Sequence, residues 1–236
     1  MSYKETMDRQ DELLEKEDGR YYAIDKVGTG LGSIATTERL GRNNVSFGLP
    51  SGPALHLHLA HSAFLEVKDI NPIDLFDAHD QGVWPDNQAP LFDFFEKLIS
   101  HVVFSFTSIE SFANESIPKD FKYSFKKKKT GEEITYGKND IERWINLDEK
   151  LSEVLPSIFS VKTPKGTKVW EKYKKLKETR DRIIHLKSVD QKASGPDDKT
   201  IWGILLRAHS IPFCNHAHEI IGHFKPKKRW YKKYPY

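Results

Sequence analysis

Residues 169–187 read VWEKYKKLKETRDRIIHLK, and the rest of the chain is understood from this stretch outward. Val169, Tyr173, Leu176 and then Ile183 recur at helical spacing, with Trp170 and Ile184 beside them. Stepping by four from Leu176 and by three to Ile183 lands on Arg180. A guanidinium therefore occupies a position that the pattern assigns to an interior or an interface, which is costly unless the group is paired or used. Asp181 and His185 are four apart and share a helix face, so a carboxylate–imidazole pair is possible there. Arg180 and His185 are five apart, about 140° around an ideal helix. A straight helix cannot aim both at one spot. Either the helix ends or bends between them, or two copies of the segment build the site together.

The flanking sequence extends the helical reading. Thr163-Pro164 or Thr167 opens this helix, which runs to about Lys187. A longer helix begins near Pro90, carries Leu91, Phe94, Phe95, Leu98, Val102, Ile109 and Phe112 mostly at spacings of three and four, and is stopped by Pro118. Pro53 suits the first turn of a helix ending near Lys68, and Asn146 with Glu149 forms a capping box for a short helix up to Pro156. The turn Ser194-Gly195-Pro196-Asp197-Asp198 precedes a last helix, roughly Thr200 to Phe224. The reading is an all-α fold, a four- to five-helix bundle over residues 53–224 with a lysine-rich, hairpin-like insertion at about 119–139. Residues 1–52 form an acidic arm followed by a glycine-rich, partly extended segment, and 225–236 a basic aromatic tail. The run Gly28-x-Gly30-x-Gly32 has neither the Lys-Ser/Thr of a Walker loop nor a dinucleotide fingerprint, and reads as turn chemistry.

Composition narrows the function classes. Twenty-eight aromatics in 236 residues argue against disorder, and a single cysteine, Cys214, rules out an intramolecular disulfide framework and a zinc site made mainly of thiolates. The best apolar run, Leu91 to Phe106, is broken by Asp93, Glu96, Lys97 and His101, so no membrane span is expected. The first twenty residues carry no apolar block, so no secretory signal is expected and the chain reads as cytoplasmic. The net charge of +3 conceals segregation: residues 1–18 hold three basic and seven acidic residues, 119–130 six lysines against Asp120, 162–187 ten basic and three acidic, and 225–236 six basic and none acidic. Clustered cations interleaved with aromatics suit phosphate contacts and base stacking, as against a solvated lysine-rich surface. On this ground Lys126, Lys127, Lys128, Lys129, Lys228, Arg229, Trp230 and Lys232 are expected to bind RNA. The opposing possibility for the tail is a disordered end, or aromatics folded back on the bundle.

The run Arg180-Asp181-Arg182-Ile183-Ile184-His185 resembles the Arg-x4–6-His signature of the HEPN superfamily, in which the residue after the arginine is typically polar. The lead-in Val169 to Lys177 is similar to that of many such proteins, as is Ser108 to Pro118 on the earlier long helix. The resemblance covers about residues 90–224. It implies a helical bundle that homodimerises to bring two motifs into one composite cleft, and a metal-independent endoribonuclease of toxin–antitoxin, abortive-infection or other antiviral systems. On this chain His185 would be the general acid or base, Arg180 would stabilise charge on the phosphoryl oxygens, and Asp181 would orient the imidazole or Arg182. Glu110 and Asn114, four apart on one face, would support the site together with Arg182. No cofactor is implied; the partners are RNA, a second copy and a possible antitoxin or defence-system protein. The Tyr-x-Tyr-like tail of some HEPN toxins is replaced here by Leu186-Lys187-Ser188, so modification by a nucleotidyltransferase antitoxin is not supported.

Two rivals stand beside this reading. One is a non-catalytic HEPN-like module for RNA binding, protein binding or dimerisation, since many family members have lost catalysis. The other is a metal-dependent enzyme using His56, His58 and His61, or His209, His216, Glu219 and His223.

Overall fold

The computed structural model describes residues 18–21, 23–26, 30–33, 35–79, 82–84, 87–126, 131–191, 199–226 and 228–236. The glycine-rich N-terminal segment forms two antiparallel hairpins, β1 (Ala23–Lys26) with β2 (Gly30–Ser33) and β3 (Ala35–Leu40) with β4 (Asn43–Gly48). Gly41 turns the second hairpin in the left-handed region, at φ +62°. Pro53 then sits in the first turn of α1 (Gly52–Val67), as its fixed φ favours. After a third hairpin, β5 (Asp77–His79) with β6 (Gly82–Trp84), Asn87 caps α2 (Gln88–Glu115) by accepting the Ala89 N–H. The lysine-rich excursion is a hairpin, β7 (Tyr123–Lys126) with β8 (Glu133–Tyr136). Tyr123, Phe125 and Tyr136 lie half-buried against Ile117, Ile141, Ile145 and Val154.

Three short helical pieces follow: α3 (Lys138–Trp144), α4 (Leu147–Glu149) and α5 (Leu155–Phe159), the last two joined by a π-helical turn at Lys150–Val154. Asn146 caps α4 through the Glu149 N–H. The helix quoted at the outset is α6 (Lys168–Ile184), and of the two candidate openings Thr167 is its cap. The last long helix expected from sequence is two: α7 (Ile201–Ala208), capped by Thr200, and α8 (Phe213–His223). Pro212 divides them, because it has no N–H and its ring excludes a continuous helix. A short α9 (Arg229–Lys233) ends the chain.

Helices dominate the described residues. Helices α1, α2, α6 and α8 share one core, in which Leu57, Ile109, Phe112, Tyr173, Leu176, Ile220 and Ile221 are essentially inaccessible. Where α2 meets α8, His101 is wholly buried. His101 Nε2 lies 3.0 Å from the Phe213 nitrogen and 3.2 Å from the Ile211 carbonyl oxygen, which also accepts the Phe213 N–H. Nδ1 meets the Ala60 carbonyl at 2.9 Å, and one imidazole ties α1, α2 and the start of α8 together. Among the described residues no helix is long and apolar enough to cross a membrane.

The expectation that the tail binds RNA through Trp230 is corrected here. Trp230 is 1% exposed and packs edge-on against Phe112 in the core, so its ring is not a stacking surface. Burying an indole outweighs leaving it in water, and the neighbouring aromatics hold the tail down. Tyr231 lies flat on His218, at 4.2 Å and 12°, and Tyr234 stacks on the same imidazole. Gly222 makes room for this: a methyl there would overlap the Tyr231 hydroxyl. Gly222→Ala is expected to lift Tyr231 and lower stability by about 1–3 kcal/mol, read by urea unfolding. Unchanged stability would show that the tail is not seated on α8.

Candidate functional site

Phe106, Glu110 and Asn114 stand four apart along α2, one above the other on one face. Lys177, Arg180 and Asp181 stand three and one apart on α6, which crosses α2 where Phe106 stacks on Tyr173. These two faces and the π-helical turn enclose a cleft of about 450 Å³. The cleft therefore brings together Arg180, Asp181, Glu110 and Asn114, four of the residues singled out from the sequence.

Arg180 is neither in solvent nor in the core. Its side chain is 28% exposed, with Cζ 4.8 Å above the Phe106 ring, and Nη1 donates to Asp181 Oδ1 at 3.0 Å. The aromatic face replaces part of the guanidinium's lost hydration and leaves the edge donors facing the cleft. Burial pushes the Glu110 carboxyl above its ordinary range, against the pull of Arg180 and Lys150.

Lys150 is the site residue that the sequence reading missed. It is 6% exposed, and Nζ donates to Asn114 Oδ1 at 2.8 Å and to the Glu142 carbonyl at 2.9 Å. Burial lowers the affinity of this ammonium for its proton, and Glu110 and Glu142 oppose that effect. The only sequence signal was a lysine between two apolar core positions, Leu147 and Leu151. Below it, Asp148 accepts the Tyr173 hydroxyl at 2.5 Å and pairs with Lys174 and Lys177. Burial alone would raise this carboxyl, but those three partners hold it below its usual range.

The helix ends between the two motif residues, one of the three solutions the spacing allowed. The last residue of α6 is Ile184, and His185 follows at φ −116°, ψ 74°, exposed, with its backbone N–H on the Asp181 carbonyl at 2.9 Å. His185 borders a second depression of about 600 Å³ shared with Lys174, Lys177, Asp181 and Lys187. Within one chain Arg180 and His185 thus open onto adjoining hollows that have Lys177 and Asp181 in common. The expected Asp181–His185 pair is not formed. The carboxylate pairs with the adjacent Arg180 instead, although it borders the same depression as His185.

Arg182 does not line the cleft of Arg180 but borders the depression of His185. Its Nη2 donates to Asp190 Oδ1 at 2.8 Å and to the Lys199 carbonyl at 3.0 Å. Asp190, its side chain inaccessible, accepts the Lys187 and Ile201 N–H groups as well. Burial alone would raise the Asp190 carboxyl, but these hydrogen bonds together hold it below its usual range. The pair fastens the segment after His185 to the start of α7.

The expected RNA-binding cations are scattered. Lys126 is exposed at the end of β7, while Lys127, Lys128 and Lys129 lie outside the described residues. Lys228 is 3.7 Å from the Glu115 carboxylate, Arg229 lies over the Tyr21 ring, and Lys232 is exposed.

The histidines are mostly used in packing. His56 Nδ1 meets Ser111 Oγ at 3.1 Å, His58 and His61 stand edge-on to Tyr236 and Tyr234, and His223 Nε2 donates to the Lys162 carbonyl at 2.8 Å. Both Glu219 oxygens accept from Lys172. Among the described residues no group of three or more His, Cys, Asp or Glu side chains is placed to hold a metal ion. Comparison with protein-family models, curated proteins and solved structures finds no match to this chain.

Proposed function

We propose that this chain is a metal-independent endoribonuclease that cleaves RNA by 2′-hydroxyl transesterification, on a four- to five-helix bundle of HEPN type, as a cytoplasmic defence or toxin effector. The observation that carries the reading is Arg180 held over Phe106 in a cleft with Glu110, Asn114 and Asp181, while α6 ends at Ile184 and leaves His185 exposed. An imidazole can take or give a proton in general acid–base catalysis. In the reaction the 2′-oxygen attacks phosphorus and the P–O5′ bond breaks. His185 accepts the 2′-hydroxyl proton or, on the second copy, donates one to the leaving 5′-oxygen. Arg180 balances the charge that builds on the non-bridging oxygens. The products are a 2′,3′-cyclic phosphate and a 5′-hydroxyl, and DNA is excluded because it lacks the internal nucleophile.

The separate hollows of Arg180 and His185 favour a homodimer, in which one copy's arginine and the other's histidine flank a single phosphodiester. The test is cleavage of a labelled RNA pool in EDTA by the wild type, Arg180→Ala and His185→Ala. The expected result is cyclic-phosphate ends from the wild type and about a hundredfold loss in each variant, with circular dichroism unchanged. RNA that is bound in a salt-dependent way and left intact would instead establish a binding module. Cutting that both variants retain would remove Arg180 and His185 from the site.

A further inference from the structure

We infer that the cleft between α2 and α6 is an oxyanion site in which Lys150 and Arg180 hold one phosphoryl group between them. The identification of that anion as an RNA phosphodiester rests on the function proposed above; the site itself rests on the donors and charges of the cleft.

The donors come first. An ammonium has three N–H groups, and Lys150 spends two of them on Asn114 Oδ1 and the Glu142 carbonyl. The third has no acceptor among the described residues. Arg180 has five N–H groups and gives one nitrogen, Nη1, to Asp181. Both residues line the same cleft. Side chains held this firmly lose little freedom when an anion arrives, so the site is formed before its ligand.

The charges point the same way. Of the other ionisable groups lining the cleft, Lys177 is taken by Asp148 at 2.9 Å, and Glu142 is 3.6 Å from Lys138. Asp181 already faces Arg180. Glu110, with Glu142, is thus the acid whose charge acts on Lys150, and neither carboxylate hydrogen-bonds its ammonium. A buried lysine needs a counter-charge to stay charged. A phosphate oxygen supplies it and also accepts the spare hydrogens of both cations. A π-helical turn begins at Lys150, and such bulges recur at working sites.

The test is binding of inorganic phosphate, followed by calorimetry and by NMR shifts, beside a short 2′-O-methylated RNA that cannot be cut. Lys150→Met is expected to weaken both by about tenfold, the loss of a charge-assisted hydrogen bond. Lys150→Arg is expected to retain binding of both probes. Glu110→Gln removes the competing acid without touching any hydrogen bond of Lys150, and is expected to tighten both about fivefold. Glu110→Gln carries the test even if Lys150→Met fails to fold. Wild-type affinity in Lys150→Met, or no gain in Glu110→Gln, would overturn the inference. Phosphate that binds without the RNA probe would keep the site and discard its assignment to a phosphodiester. Phosphate binding with this pattern and no cleavage of natural RNA would sink the nuclease reading and leave the anion site standing. Full cleavage by Lys150→Met with unaltered phosphate binding would do the reverse.

Discussion

Replacing Trp230 by alanine is expected to cost the protein about 3–5 kcal/mol, as for other large aromatics removed from a packed interior. In a chain of this size that lowers the melting temperature by roughly 10 °C. The indole is 1% exposed, stands T-shaped to Phe112 at 6.3 Å, and closes the bottom of the core shared by α1, α2, α6 and α8. The rest of the tail depends on it: the Tyr236 hydroxyl donates to the Trp230 carbonyl at 2.6 Å, and Tyr231 and Tyr234 cover His218. Trp230→Phe is the informative companion. The indole N–H is buried without a hydrogen-bond partner, so phenylalanine keeps the apolar contact and removes an unsatisfied donor. It should cost about 1 kcal/mol or less. Thermal melts of both variants check this; a tail that merely solubilises the chain would leave the alanine variant within about 0.5 kcal/mol of wild type.

Acidification should weaken the fold through His101. Burial holds this imidazole neutral and pushes its pKa down to about 4, with the two backbone carbonyl contacts pulling weakly upward. In the unfolded chain the same group titrates near its ordinary value of about 6.5. Between those two values the unfolded state binds a proton that the folded state refuses, so the stability present above pH 6.5 is lost as pH falls. For this residue the loss is about 2 kcal/mol by pH 5 and about 3 kcal/mol by pH 4. Burial also lowers His56, His58, His61, His216 and His218, which adds to the loss with the same sign. His101→Gln can receive the Phe213 N–H and donate to Ala60 but cannot titrate. It should be less stable at pH 7, and its stability should fall less steeply between pH 6.5 and 4. Equal slopes in urea unfolding at several pH values would show that His101 is not the group responsible.

Much of the helical layout was legible because its determinants are local. Pro53 and Asn146 opened helices where ring and side chain predicted, and the three-and-four spacing from Leu91 to Phe112 traced the buried face of α2. The same periodicity put Arg180 at the edge of a buried stripe and Glu110 with Asn114 on one face, so part of the cleft could be read directly. The single helix read from Thr200 to Phe224 is broken at Pro212, which cannot continue a helix.

What the sequence alone determined was therefore which residues lie along one side of each helix, since a repeat of 3.6 residues is a property of neighbours in the chain. Partners distant in the chain were decided by the tertiary structure. Lys150 is buried because Asn114, 36 positions earlier, and the Glu142 carbonyl accept its hydrogens, and its place between Leu147 and Leu151 does not by itself reveal those partners. Trp230 reads as part of a basic tail until Phe112 is folded beside it. Asp181 is four residues from His185, yet its carboxylate pairs with Arg180. Burial and charge pairing are sums over everything that surrounds a group, and those surroundings exist only once the helices have packed.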